Sequence, residues 1–106
     1  MAPSSEWVID VLTPLGLRVV CTAEYWDRIT AIKHPPMRGR MADVVQTLAE
    51  PDEVRRSAGD PQVSLFHRRV GARWVCAVVK REEGCGYLIT AYPADKIKSG
   101  EVLWRK

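Results

Sequence analysis

Residues 63 to 92 read VSLFHRRVGARWVCAVVKREEGCGYLITAY, and this stretch decides the fold. It consists of runs rich in apolar and β-branched residues, separated by turn-forming residues at Gly71-Ala72 and at Glu82 to Cys85. The runs are residues 63–70, 74–80 and 86–92. Short runs of this composition, bounded by tight turns, are typical of β-strands joined as hairpins. We therefore predict a continuous three-stranded antiparallel meander.

The first turn of this meander determines on which face of the sheet the polar side chains of its first two strands lie. A hairpin through Gly71-Ala72 places Arg68 on one face of the sheet and His67 on the other, because successive side chains in a strand alternate. Thr90 and Tyr92 are two residues apart and share a face. The second turn does not fix which face that is, since a one-residue slip of register reverses the assignment.

The segments before and after the meander predict a hairpin, two helices and short flanking strands. Apolar residues recur at helical spacing, and Pro35 and Pro51 end the two helical patterns. The predicted hairpin joins strands 7–12 and 17–21, the helices cover residues 22–33 and 41–49, and short strands are expected near residues 54–57 and 102–104. His34 precedes Pro35, which disfavours the α conformation in the residue before it, so we expect His34 at the end of the first helix.

Length and composition indicate a single domain spanning residues 1–106, with residues 1–6 expected to be disordered. A chain of 106 residues that is 46% hydrophobic has material for one core. The start lacks a basic segment followed by an apolar run, and no stretch approaches the roughly 20 apolar residues of a membrane helix. We therefore expect neither a signal peptide nor membrane association.

The cysteines bear on the compartment and on metal binding. Cys21, Cys76 and Cys85 form an odd set without a CxxC pair, which argues against both a disulfide framework and a thiolate metal site. The expectation is a cytoplasmic protein with reduced thiols, no metal and no cofactor.

The net charge of +3 and the pI near 8.9 are a mild signal by themselves, but the cations cluster in the middle of the chain. The cluster comprises Arg38, Arg40, Arg55, Arg56, His67, Arg68, Arg69, Arg73, Lys80 and Arg81. A folded chain could gather these side chains into a basic face, as proteins that bind nucleic acid do.

The order of several short motifs carries a resemblance to a known superfamily. The motifs are Trp26-x-x-Ile29, His34-Pro35, Pro51-Asp52-Glu53-Val54, Ser57 and Asp60, Phe66-His67-Arg68, Val79-Lys80 and Ile89-Thr90-Ala91-Tyr92. In this order, over roughly residues 7–98, the chain resembles small phage and bacterial proteins of the barnase, EndoU, colicin and RelE-like nuclease superfamily. The resemblance implies an α+β fold in which the N-terminal hairpin and two helices pack on a mostly antiparallel sheet of about four strands.

The resemblance also implies metal-independent cleavage of RNA, in which the ribose 2′-hydroxyl attacks the neighbouring phosphate. This chemistry needs a base, a cation for the developing charge and an acid for the leaving oxygen. What the resemblance implies is His34 as base or acid and Arg68 as phosphate clamp. Thr90 and Tyr92 would bind phosphate or relay a proton, and Lys80 is a weaker candidate at a strand end.

The cations beside these residues are candidates for binding RNA phosphates: His67, Arg69, Arg73 and Lys80. RNA, free or bound to the ribosome, is the expected partner. A protein antitoxin is a further one, if the chain is the toxin of a toxin–antitoxin pair.

Each candidate also has a structural interpretation. His34 could cap a helix end, Arg68 could pair with Asp60 or Glu53, and Tyr92 could be a core residue. The alternative function is therefore a non-catalytic module of the same fold that binds nucleic acid or protein. The two functions differ in one geometric requirement, because only the enzyme needs its four catalytic candidates in one cleft.

Overall fold

The computed structural model of the chain describes residues 7–106, so the disorder predicted for residues 1–6 concerns residues outside those described. The strands are β1 (Trp7–Leu12), β2 (Arg18–Thr22), β3 (Glu53–Arg56), β4 (Val63–Val70), β5 (Arg73–Glu82), β6 (Cys85–Ala94) and β7 (Val102–Arg105). They form one seven-stranded sheet in the order β1-β2-β6-β5-β4-β3-β7.

The helical residues lie between β2 and β3. Helix α1 (Ala23–Arg28) begins at Thr22, whose Oγ1 accepts a hydrogen bond from the backbone N–H of Tyr25 at 3.1 Å. A π-helical segment, Ile29–Lys33, continues α1, and a single 3₁₀ turn, Pro35–Met37, follows it. Helix α2 (Met41–Ala49) completes the set. No helix within residues 7–106 is long and apolar enough to cross a membrane.

The prediction of about four mostly antiparallel strands is wrong, because the sheet has seven strands and is mixed. The predicted meander is present as β4, β5 and β6, with β5 inside the sheet. The N-terminal hairpin joins the same sheet through a short parallel ladder in which Val19 pairs with Gly86 and Val20 with Tyr87. β3 and β7 extend the other edge.

A glycine in β6 allows that parallel contact. A Cβ atom at Gly86 would lie 2.9 Å from Cγ1 of Val79 and 3.0 Å from side-chain atoms of Leu17 and Val19. The first distance is shorter than real Cβ contacts and the other two are tighter than most, so a larger residue would force the side chains of β5 and of the N-terminal hairpin to shift. The absence of a side chain at this position therefore lets the hairpin enlarge the sheet.

The two faces of the sheet differ in what covers them. The helix face carries Phe66, Val75 and Ala77, which are at most 1% exposed and pack with Val44 and Leu48 of α2. The opposite face, called the crossing face, carries His67, Cys76 and Tyr92. Residues 95–101, called the crossing segment, pass over this face, because the chain must travel from β6 to β7 at the far edge.

Candidate functional site

The register of β4, β5 and β6 settles the face of Thr90 and Tyr92. Tyr92 lies opposite Cys76, and Cys76 lies opposite His67. Thr90 lies opposite Val78 in the adjacent row of the same face. Directly opposed residues in antiparallel strands project to one side of the sheet, so Thr90, Tyr92 and His67 share the crossing face.

Arg68 lies on the other face. It is opposite Val75, a residue of the helix face, and it makes no salt bridge within the described part of the chain. The alternative partners that the sequence offered are engaged elsewhere, since Asp60 faces Lys80 and Glu53 binds two other arginines. Arg68 is therefore separated by the sheet from Thr90 and Tyr92.

His34 reaches the crossing face beside the part of β6 that follows its two pairs with β2. Its backbone N–H closes the π-helical turn on the carbonyl of Ile29 at 2.7 Å. Tyr25 fixes this segment against β6, because its hydroxyl donates to the carbonyl of Ile89 at 2.9 Å. The half-buried His34 ring then stands 5.2 Å from the ring of Tyr92, centroid to centroid, with 37° between the planes.

A cation that the sequence did not identify, Lys98, lies near the same phenol. Nζ of Lys98 is 5.3 Å from the centroid of the Tyr92 ring, within the range of a cation–π interaction. The backbone N–H of Lys98 donates to Nε2 of His67 at 3.4 Å, which holds the crossing segment on the sheet. Tyr92 thus contacts both the imidazole of His34 and the ammonium of Lys98.

The hydroxyls of Thr90 and Tyr92 are buried and have no hydrogen-bond partner among the described residues. Burial, and next the Cys76 thiol, raise the pKa of Tyr92, so its hydroxyl stays protonated and can donate. Burial likewise raises the pKa of Cys76 to about 11 and leaves it a thiol. Leaving a buried polar group unpaired costs about 1–3 kcal/mol, which makes adjacent unpaired hydroxyls a feature that calls for an explanation.

His67 is fully buried below the crossing segment. Because Nε2 accepts a hydrogen bond, the proton of the neutral ring is on Nδ1, which has no partner among the described residues. Burial and, next, the positive charge of Arg55 lower the pKa of His67, although Glu53 opposes them. His67 is therefore an uncharged structural residue of this face and does not present its ring to solvent.

His67 should make the stability of the protein depend on pH. Its pKa lies below the ordinary value of 6.5 only in the folded state, so the unfolded chain takes up the proton first as the pH falls. Above about pH 6.5, His67 should not change the free energy of unfolding. As the pH is lowered below about 6.5, the free energy of unfolding should decrease by up to about 1.4 kcal/mol per pH unit. Urea denaturation from pH 8 to 5 measures this slope.

The matched comparison uses the two histidines of the chain. His67→Gln should flatten the slope between pH 6.5 and 5, whereas His34→Ala leaves His67 in place and should keep it. An unchanged slope in His67→Gln would show that the buried imidazole is not its source.

The other predicted phosphate-binding cations do not form one patch. Arg69 lies over the ring of Trp74, at 5.4 Å from its centroid, and its Nε donates to the carbonyl of Gly71. Arg73 pairs with Asp95 at 3.0 Å at one end of β5. Lys80 is near the other end of β5, with its Nζ 3.6 Å from Asp60.

The site has no grouping suited to a metal ion. Within residues 7–106, no cluster of three or more histidine, cysteine or acidic side chains could hold one. The chemistry that the described residues can supply is proton transfer by an imidazole, charge stabilisation by an ammonium and hydrogen bonding by two hydroxyls.

Lys98 carries no sequence signal that could have identified it. Its position depends on where β7 joins the sheet, because this determines the path of the crossing segment. A β7 beside β6 would have taken the same lysine away from Tyr92.

No protein-family model, curated protein or solved structure matches the chain.

Proposed function

We propose that the protein is a metal-independent RNA endonuclease whose catalytic centre is built around Tyr92. The observation that carries the proposal is the position of His34 and Lys98, whose imidazole ring and Nζ lie 5.2 and 5.3 Å from the centroid of the Tyr92 ring. Thr90 adds a second hydroxyl on the same face. These groups supply the acid–base function and the cation that cleavage by a 2′-hydroxyl requires.

Each step of the reaction has a group available. A base removes the proton of the 2′-hydroxyl, the 2′-oxygen bonds to phosphorus, and the bond from phosphorus to the 5′-oxygen breaks as that oxygen takes a proton. His34 is the group for proton transfer, and the protonated Tyr92 hydroxyl is a donor to a phosphate or leaving oxygen. Lys98, in place of Arg68, offsets the charge that develops on the phosphate.

A second candidate function is a non-catalytic module that binds nucleic acid. One observation in its favour is that the sheet separates Arg68 from the other catalytic candidates. Another is that the Thr90 and Tyr92 hydroxyls are buried, so a substrate reaches them only if neighbouring side chains move. Binding through phosphates needs no such movement, because Lys80 and Arg73 are about half exposed. A protein antitoxin is a partner only under the first function.

The experiment that separates the two functions is incubation of the purified protein with single-stranded and ribosome-bound RNA in the presence of EDTA. The enzyme should cut at least one substrate, leave 2′,3′-cyclic phosphate ends and be indifferent to the chelator. Intact RNA that binds with an affinity falling steeply with salt would favour the module. No binding at low ionic strength would contradict both functions.

A further inference from the structure

A groove on the crossing face lies apart from the His34 and Lys98 cluster. It has a volume of about 380 Å³, within the range of small-ligand sites. Trp7 of β1, Tyr25 of α1, Lys80 of β5 and Tyr87 of β6 line it. Three aromatic side chains and one ammonium from four different elements thus surround one opening.

The groove and the proposed catalytic centre lie along the same strands. Tyr87 is opposite Lys80, as Thr90 is opposite Val78 and Tyr92 is opposite Cys76. All three pairs project from the crossing face, and the four residues from Lys80 to Cys76 correspond to about 13 Å at roughly 3.3 Å per residue. An extended ligand could therefore contact both places by following β6.

Two of the three aromatic rings of the groove, those of Trp7 and Tyr87, are not stacked on each other, whereas Nζ of Lys33 lies 5.0 Å from the centroid of the Tyr25 ring. The rings of Trp7 and Tyr87 are tilted by 55°, with their centroids 6.5 Å apart, so they do not cover each other. Tyr87 is 40% exposed, although it is large and apolar. Stacking on a nucleobase would bury such a ring without requiring a particular base.

The charged residues of the groove complement a nucleotide. Lys80 is 41% exposed, and its 3.6 Å contact with Asp60 is loose enough to be exchanged for a phosphate. Glu82 also lines the groove and would repel a phosphate near it, but a carboxylate accepts hydrogen bonds from the amino group of a base. A nucleotide can bind with its base near Trp7, Tyr87 and Glu82 and its phosphate at Lys80. In this position the carboxylate of Glu82 and the ammonium of Lys80 each have a partner.

We propose that this groove is a base-binding subsite for single-stranded RNA, in which one base stacks on the ring of Tyr87 and contacts Trp7, and the adjoining phosphate contacts Lys80. This inference rests on the proposed function, since it assigns the substrate to unpaired RNA and gives the strand a path along β6 to His34. Duplex RNA does not offer the base face that the subsite requires.

The test is binding to a 2′-O-methyl oligonucleotide, which lacks the attacking hydroxyl and so reports binding whether or not the protein cuts RNA. Fluorescence anisotropy would compare a single-stranded decamer with the same backbone lacking all bases. Tyr87→Ala and Trp7→Ala should each weaken binding to the decamer by about 5- to 150-fold, the range measured for loss of one stacked base. Neither should change binding to the base-free backbone by more than about twofold.

Two controls accompany these variants. Tyr87→Phe keeps the ring and should bind like the wild type, and Leu12→Ala removes a 69% exposed apolar side chain of β1 that does not line the groove. Lys80→Ala should weaken binding to both oligonucleotides alike and lower the salt dependence by about one phosphate contact. Melting temperatures establish that each variant is folded.

The proposal is overturned if Tyr87→Ala and Trp7→Ala, once shown to be folded, bind the decamer like the wild type, or if they lose equal affinity for the base-free backbone. Failure of the enzymatic function is recognised separately: stacking-dependent binding without cleavage of unmodified RNA would contradict the endonuclease and keep the subsite.

Discussion

Replacing His34 by alanine should lower the rate of metal-independent RNA cleavage by about 10²- to 10⁴-fold, the usual cost of losing a general acid or base. His34 is half-buried beside Tyr92 and does not belong to the hydrophobic core cluster. The fold should therefore survive, and circular dichroism and thermal melting should be close to those of the wild type. The rate is measured on a labelled single-stranded RNA with EDTA present.

The matched control for His34 is Arg38→Ala. Arg38 is an exposed cation four residues further along, directly after the 3₁₀ turn, and should matter only through general attraction of RNA. Its removal should change the rate by no more than a few fold. Cleavage by His34→Ala at the wild-type rate would exclude this residue from the chemistry.

Phe66→Ala should destabilise the folded state by about 3–5 kcal/mol, the range for truncating a buried aromatic residue. Phe66 is completely buried in β4, between Val54 of β3 and Ala77 of β5 on the helix face. Its ring is among the largest fully buried side chains, so its loss leaves a cavity that the neighbouring small residues cannot fill. Urea denaturation of both proteins measures the difference.

An exposed leucine serves as the control for Phe66. Leu12 is 69% exposed, and Leu12→Ala should change the free energy of unfolding by at most about 0.5 kcal/mol. A loss below about 1 kcal/mol in Phe66→Ala would mean that the helix face does not form the core of the domain.

The meander could be predicted from the sequence because its information is local. The turn at Gly71-Ala72 fixes the pairing of β4 with β5, and the alternation of Val75, Ala77 and Val79 marks the buried face. The number of strands could not be obtained in this way. The two residue pairs between β2 and β6 join segments that are far apart in sequence. The sequence feature that permits this pairing is one glycine, Gly86, and its missing side chain matters only when β2 lies beside it.

The candidate site was partly predictable for the same reason. That Thr90 and Tyr92 share a face follows from strand periodicity, but that this face is opposite to Arg68 depends on the register of the second hairpin. That register contains a bulge between Val78 and Val79, which sequence patterns do not reveal. Lys98 could not be predicted, since its place above Tyr92 depends on the path of the crossing segment.

The central claim is that Lys98, and not Arg68, offsets the charge that develops on the phosphate beside His34. The most direct test compares Lys98→Ala with Arg68→Ala in the same cleavage assay with EDTA. Both changes remove one cation, so any effect of net charge on RNA binding is shared. Lys98→Ala should lose at least about 10²-fold in rate, comparable to removal of one group that stabilises transition-state charge, while Arg68→Ala should stay within a few fold of wild type. A large loss in Arg68→Ala with an undiminished rate in Lys98→Ala would contradict the site described here.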